Sequence, residues 1–558
     1  MNSRKMWFCL LFSLLLLTNS GFSQIDRQYQ PVIISGENAS ELWNTNVDNM
    51  YLMSFNATEN SWNVIAFQVD EVDSSAEDED KYFSGEPEGL AGIFDLDDEL
   101  VFIAGDIGGD RADSTQWAEN TDSIRYEITL VDTVDGSMGY VYVCFSELPL
   151  VIPEFQYDMA YDEATDQVSS LAYEAGFNQT GLLSDVRILP EISGNGEEIF
   201  DRVKVRLFGV LNILFPIPIP LAEDGLEADS AWAKVGPVRA IRNLKARFAL
   251  RAGSLEEISD PFVQTSFFYP YSNNFSITFP IENVVDYVDI LYARLSWDMN
   301  ANASGMTFYS ENNMQGITVD GSGDKEGIST ESRAGDLEWS MVSGDPGTMV
   351  NVFYLPNLGS TQGIFYFDNT DDDTLTTGDY ENSEEYTFDT GDSVAYGDNG
   401  YFVYDEDRIE VTELTLAYYN FFLPPSFTPE QASLLTEQLQ QPLDYSIMQQ
   451  KYTPPTSVAG AITNSPKDFK LNQNYPNPFN ASTVISFNLP QTADVNLTIY
   501  DVTGRQIREL INENMGAGAQ QAIWDGRNDF GDYAPSGIYV YQLKMNSLVQ
   551  SKKMVFVK

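Results

Sequence analysis

The sequence predicts a mainly β protein: tandem β-sandwich-like units, few helices, and a small separate sandwich at the C-terminal end. Three observations carry this. Apolar and polar residues alternate with period two in runs such as Tyr126-Glu127-Ile128-Thr129-Leu130-Val131 and Arg202-Val203-Lys204-Val205-Arg206-Leu207, bounded by Gly, Asn and Asp turns. The apolar stretch from Leu207 to Leu221 contains Pro216, Pro218 and Pro220, which remove backbone donors and forbid helix. That stretch therefore reads as buried loop or edge strand, not as a membrane span. Finally, 43% hydrophobic and 13% aromatic content over 558 residues is ample for several packed cores.

At the start of the chain, Arg4 and Lys5 precede an apolar run from Met6 to Leu17 and the small-residue segment Ser20-Gly21-Phe22-Ser23. This pattern predicts a secretory signal peptide over residues 1–23, cleaved after Ser23. The apolar run is too short for a bilayer core, which needs about 20 helical residues. Cys9 lies inside that run, so Cys144 is the one cysteine expected in the mature chain. Within Tyr140-Val141-Tyr142-Val143-Cys144-Phe145 it reads as a small buried strand residue, and the fold is expected to be held without disulfides.

Charge divides the mature chain in two. Residues 25–465 carry 76 acidic and 19 basic side chains, whereas 466–558 carry 8 and 9, so the two stretches are expected to be independent units. The predicted domains are 24–190, acidic and β-rich; 191–450, β-rich with a C-terminal helix; a Pro, Ser, Thr, Gly and Ala-rich linker over 451–468; and a final domain over 469–558. The helix is expected to start at Thr428-Pro429-Glu430-Gln431, where Thr428 caps, Pro429 suits the first helical position and Gln431 completes a capping box ahead of Leu434, Leu435 and Leu439.

Composition excludes function classes. The chain has no histidine, which removes Ser-His-Asp and Cys-His catalysis, HExxH zinc chemistry and any imidazole pH switch. A formal net charge of −54 repels phosphate and anionic lipid, so no nucleic-acid partner is expected.

The last 90 residues carry the most specific signal. They contain Pro476-Asn477-Pro478-Phe479-Asn480, then Tyr500-Asp501-Val502-Thr503-Gly504-Arg505, Trp524-Asp525-Gly526, Ser536-Gly537-Ile538-Tyr539-Val540-Tyr541, and Lys552-Lys553-Met554-Val555-Phe556-Val557-Lys558. In this order these motifs resemble the type A C-terminal sorting domain of the type IX secretion system, related to the FlgD immunoglobulin-like fold. The resemblance implies a protein secreted to, or held at, the outer-membrane surface of a Gram-negative bacterium. It also implies the type IX translocon as the partner of this domain and marks Pro476, Asn477, Pro478, Phe479, Asp501, Gly504, Arg505, Trp524, Gly526, Gly537, Tyr539, Lys553 and Lys558 as its motif residues. It is silent on residues 25–450, which resemble no recognised family.

Within the body, carboxylates concentrate between Asp70 and Asp110 and again between Asp368 and Asp407, the second span without Lys or Arg. Such density needs solvation or a counter-ion. Asp368, Asp371, Asp372, Asp373 and Asp379 have spacing suited to calcium, although the glycine at position six of an EF-hand loop is missing. Solvated acidic loops are the alternative. Arg202, Lys204 and Arg206 share one strand face, and Arg239, Lys245, Arg247 and Arg251 share a parity; they make either internal pairs with carboxylates or a platform for an anionic ligand such as a uronate polysaccharide. The body is thus expected to be a non-enzymatic binding or structural module. The alternative is a polysaccharide-degrading glycoside hydrolase or uronate lyase using carboxylates or Tyr with Arg. Trp62, Trp117, Trp297 and Trp339 are candidates for sugar stacking or, by default, for the core.

Overall fold

In the computed structural model, the chain divides into two compact units, Met1–Pro454 and Pro455–Lys558. The structure describes residues 24–452 and 470–556, except 75, 77–79, 84–90, 148–149, 151–155, 213–215, 223–224, 253–254, 259, 281–287, 323–324, 327–336, 355–360, 370–394, 405–412, 472–473, 475–478, 480–482, 491–492, 502–504, 517, 525, 530–532 and 546–547. The leader assigned to residues 1–23 lies outside the described residues, as does most of the linker assigned to 451–468.

The first unit is built from antiparallel sheets. Its larger sandwich opposes a sheet with strand order 216–222, 200–212, 288–299, 395–404, 361–369, 325–326 to one with order 226–235, 240–252, 262–269, 272–280, 413–423, 347–354, 338–344, 307–310, 313–318. Alternation decides which residues face inward: Val203 and Val205, then Leu295 and Trp297, meet Phe275, Phe353, Tyr418 and Phe422 in one core. Trp297 sits edge-on to Tyr418 at 4.9 Å and to Phe353 at 5.0 Å between ring centroids. The four-stranded sheet over 160–188 adds Val168, Tyr173, Val186 and Ile188 to this core.

A second core joins the three-stranded sheet of 31–35, 99–103 and 67–70 to a five-stranded sheet ordered 444–451, 124–131, 138–145, 50–56, 61–64. The Asp444–Lys451 strand follows the helix in sequence, yet pairs in full register with Ile124–Val131. Chain after residue 440 therefore returns to complete a sheet begun before residue 60.

Among the described residues there is one α-helix, Pro429–Gln440, started by the expected capping box between Thr428 and Gln431. Ala432 and Leu435 seat it on Trp339, Met341, Val350, Val352, Phe421 and Leu423, the outward face of the larger sheet, while Leu434 is exposed. Its C-terminal end is held by Arg27, whose guanidinium donates to the carbonyls of Gln438 and Gln441 at 2.6 and 2.8 Å and pairs with Asp132 at 2.6 Å. A cation at that end meets the negative pole of the helix.

The proline-rich stretch is an edge strand, Pro216–Ala222, bonded on one side to Phe200–Asn212. Pro216, Pro218 and Pro220 lie opposite Asn212, Val210 and Phe208. Residues two apart turn their backbone groups to the same side, so all three prolines fall where no partner asks for a donor.

Candidate functional site

The second unit packs a sheet of 470–471, 483–489 and 518–524 against a sheet ordered 506–515, 493–501, 537–545, 548–556. Its core contains Phe487, Leu497, Ile499, Trp524, Tyr541, Leu543 and Phe556. The motif residues meet inside it. Phe479 stacks on Phe556 at 4.8 Å and lies 5.4 Å from Trp524; Trp524 in turn lies 5.1 Å from Tyr539 and 5.9 Å from Phe556. These four rings belong to four segments far apart in sequence.

Polar ends of the same rings close the turns around them. Trp524 Nε1 donates to the carbonyl of Arg527 at 2.8 Å, and the Tyr539 hydroxyl donates to that of Pro535 at 2.7 Å. The Phe479 amide reaches the Val555 carbonyl at 3.0 Å, tying the segment before the second strand to the last strand. The Tyr541 hydroxyl accepts from the amide of Asn474 at 2.8 Å, and the Asn474 side chain donates to Thr483 at 3.0 Å. Gly526 turns with φ +67° beneath the Phe556 ring, 2.6 Å from where a Cβ would sit.

The motif residues therefore divide. Phe479, Trp524, Gly526 and Tyr539 are buried and build the fold, whereas Arg505 and Lys553 are exposed and Gly537 is half-buried at the start of its strand. Asp501 ends the 493–501 strand, opposite Tyr539. Pro476, Asn477, Pro478, Gly504 and Lys558 lie outside the described residues. Asn474, Tyr541 and Phe556 serve the same cluster without belonging to the marked motif residues. The signal for Tyr541 and Phe556 is present in the buried parity of the last two strands; Asn474 lies outside any strand.

In the body, the charged residues singled out from sequence are drawn into pairs. Lys204 Nζ lies 2.7 Å from Asp298 and 3.8 Å from Asp398, and Arg294 reaches Asp398 at 2.9 Å. Arg239 is buried between Asp70 and Glu99, bonding Glu99 at 2.7 Å, with its plane 5.0 Å from the Phe267 ring. Arg247 pairs with Asp229 at 3.2 Å. The strands bearing Lys204 and Arg247 belong to different sheets, so they do not form the adjacent cationic platform considered from sequence; the internal-pairing alternative describes them.

Described acids of the span from Asp70 to Asp110, Asp70 and Glu99 among them, are likewise engaged within the protein. Asp98 is buried and accepts from the amides of Asp95 at 2.9 Å and Val72 at 3.3 Å; burial pushes its carboxyl up to about 6. Of the five aspartates considered for calcium, Asp368 is described. It is buried, and its Oδ2 accepts from the amides of Asp320 and Gly321 at 3.1 Å and from the Tyr366 hydroxyl at 2.8 Å. Asp371, Asp372, Asp373 and Asp379 lie outside the described residues. Among the described residues, no three His, Cys, Asp or Glu side chains converge as metal ligands, and no helix is long and apolar enough to cross a membrane.

The four tryptophans are structural to different degrees. Trp297 and Trp339 are fully buried. Trp62 and Trp117 lie 4.9 and 4.3 Å from the buried Arg125 guanidinium, whose third aromatic neighbour, Tyr142, is 4.5 Å away. Cys144 is buried beside them, and desolvation raises its thiol to about 12, so it is inert at neutral pH.

The C-terminal unit is thus a small two-sheet sandwich closed by an aromatic cluster of motif residues. Residues 473–548 form a FlgD Ig-like domain, matching the family of that description. No curated protein matches the chain. Among solved structures, a family 38 glycosyl hydrolase of Enterococcus faecalis aligns with 90% of this chain and 57% of its own at 10% identity and a TM-score of 0.37. An α-mannosidase of the same organism aligns over 90% and 55% at 10% identity and 0.36. Latent PorU of Porphyromonas gingivalis aligns over 84% and 36% at 11% identity and 0.15. The chain spans a little over half the length of the first two, and no superposition at these TM-scores bears on what it does.

Proposed function

We propose that this chain is cargo of the type IX secretion system. A leader directs export, the C-terminal FlgD Ig-like domain is the signal read at the outer membrane, and the body is a non-enzymatic binding or structural module delivered to the cell surface or beyond. The observation that carries this reading is the gathering of Phe479, Trp524, Gly526 and Tyr539, drawn from separate sorting motifs, around Phe556 near the end of the chain. The buried carboxylates support a scaffold role for the body: Asp70, Asp132, Glu127, Asp298 and Asp398 are each held by Arg or Lys. Carboxylates held this way face the protein's own cations, which fits a module that scaffolds or binds.

The test is a deletion of residues 469–558 in the native host, followed by fractionation. The truncated body is expected in the periplasm. Its normal arrival at the surface or in the medium would refute the sorting role.

A further inference from the structure

Lys204 is the one lysine, among the described residues, that is fully buried. It projects from the Phe200–Asn212 strand onto the face of its sheet that lies away from Trp297, alongside Arg294, Ser296 and Asp298 of the neighbouring Val288–Met299 strand and Asp398 of the next strand, Ala395–Tyr404. Ser296 lies directly opposite Lys204 and Gly400 directly opposite Ser296, so small residues occupy the middle of this face and the long side chains converge across them. Position 400 has no room for more: a Cβ there would stand 2.1 Å from the Leu295 carbonyl oxygen. Asp298, Asp398 and Arg294 are each exposed by 2% or less. One oxygen of each carboxylate, Oδ1, is buried without a hydrogen-bond partner.

We infer that Lys204 and Asp298 condense within the folded protein to form an intramolecular isopeptide bond, with Asp398 as the proton carrier. Geometry separates the two carboxylates. Nζ is 2.7 Å from Asp298 Oδ2, one bond short of the Cγ it attacks, and 3.8 Å from Asp398 Oδ2, which Arg294 holds at 2.9 Å. A proton passes from the Lys204 ammonium to Asp298, leaving an amine facing a neutral carboxylic acid. The amine lone pair forms the Nζ–Cγ bond. Asp398 takes the second nitrogen proton and returns it to the departing hydroxyl, the Cγ–O bond breaks, and water leaves. Ammonium plus carboxylate has become amide plus water, with no oxidant or co-reactant required.

Three physical features favour the reaction here. Adjacent strands hold amine and carboxyl in contact, which supplies the effective concentration that free amines and acids in water lack. Burial beside a second carboxylate disfavours an ionised Asp298, whose carboxyl is raised to about 7, so the electrophilic acid form is populated at neutral pH. Condensation also removes two opposite charges from a desolvated site and leaves Asp398 neutralised by Arg294. The site thus has one more cation than a single Lys–Asp pair needs, and the product state uses it.

Intact-mass measurement of the full mature chain tests this, followed by proteolysis and peptide mapping. The expected chain is lighter than its sequence by one water, with a branched peptide joining Lys204 to Asp298. The Asp298→Ala and Asp398→Asn variants are expected at the uncondensed mass. Recovery of the unmodified chain as separate linear peptides containing Lys204 and Asp298 would overturn the bond, whether or not either variant folds. Loss of water mapped elsewhere would overturn it equally, and a branched peptide in Asp398→Asn would overturn the role of Asp398.

Discussion

A methyl group at position 526 would enter the Phe556 ring, and the backbone there has φ +67°, where only glycine is unstrained. Gly526→Ala is expected to cost the C-terminal unit about 1–3 kcal/mol. Calorimetry of the full chain reads this as a lowered transition for that unit with the body transition unmoved. Asp98 makes a different prediction. Its folded carboxyl, raised to about 6, lies above the value of about 3.9 for an unfolded aspartate. Its contribution is therefore fully present below about pH 4 and is lost as pH rises through 6. Melting temperatures of wild type minus Asp98→Asn are expected to fall across that window; a difference flat with pH would show that Asp98 does not titrate there. Neither site is visible as such in the sequence. WDG and SGIYxY mark residues as special, but that Gly526 serves a ring 30 positions away needs the fold.

Two elements were legible from local chemistry. The capping box at Thr428 starts the helix because both halves of its reciprocal hydrogen bonding lie within four residues. The prolines at 216, 218 and 220 identify an edge because a missing donor is tolerated on an unpaired side. These prolines also protect that edge from pairing with another chain. Replacing all three by valine restores a row of outward N–H donors, and the variant is expected to self-associate, seen by light scattering as a rise in mass that the wild type lacks at the same concentration. A monodisperse variant would remove this role. The Asp444–Lys451 strand was not legible as the partner of Ile124–Val131. Its alternation is there to read, but its register is set by a sheet more than 300 residues upstream.

At the scale of the molecule, Cys144 is buried and forms no disulfide among the described residues. A Lys204–Asp298 bond would supply a cross-link, closing a loop of about 100 residues, which in the chain-entropy picture is worth about 4–5 kcal/mol. The deletion of residues 469–558 belongs at this scale too, because it removes a whole compact unit and leaves the body intact. What the sequence determined by itself was local and periodic: β content, the helix start, the proline edge, the acidic body set against a near-neutral tail, and the motifs of an FlgD Ig-like domain. Tertiary structure alone decided which charges meet. Lys204 and Asp298, or Arg239 and Asp70, are brought together by sheet register and core packing across 94 and 169 positions, and no local pattern encodes such distances. A side chain's period assigns it to a face; only the closed fold assigns it a neighbour.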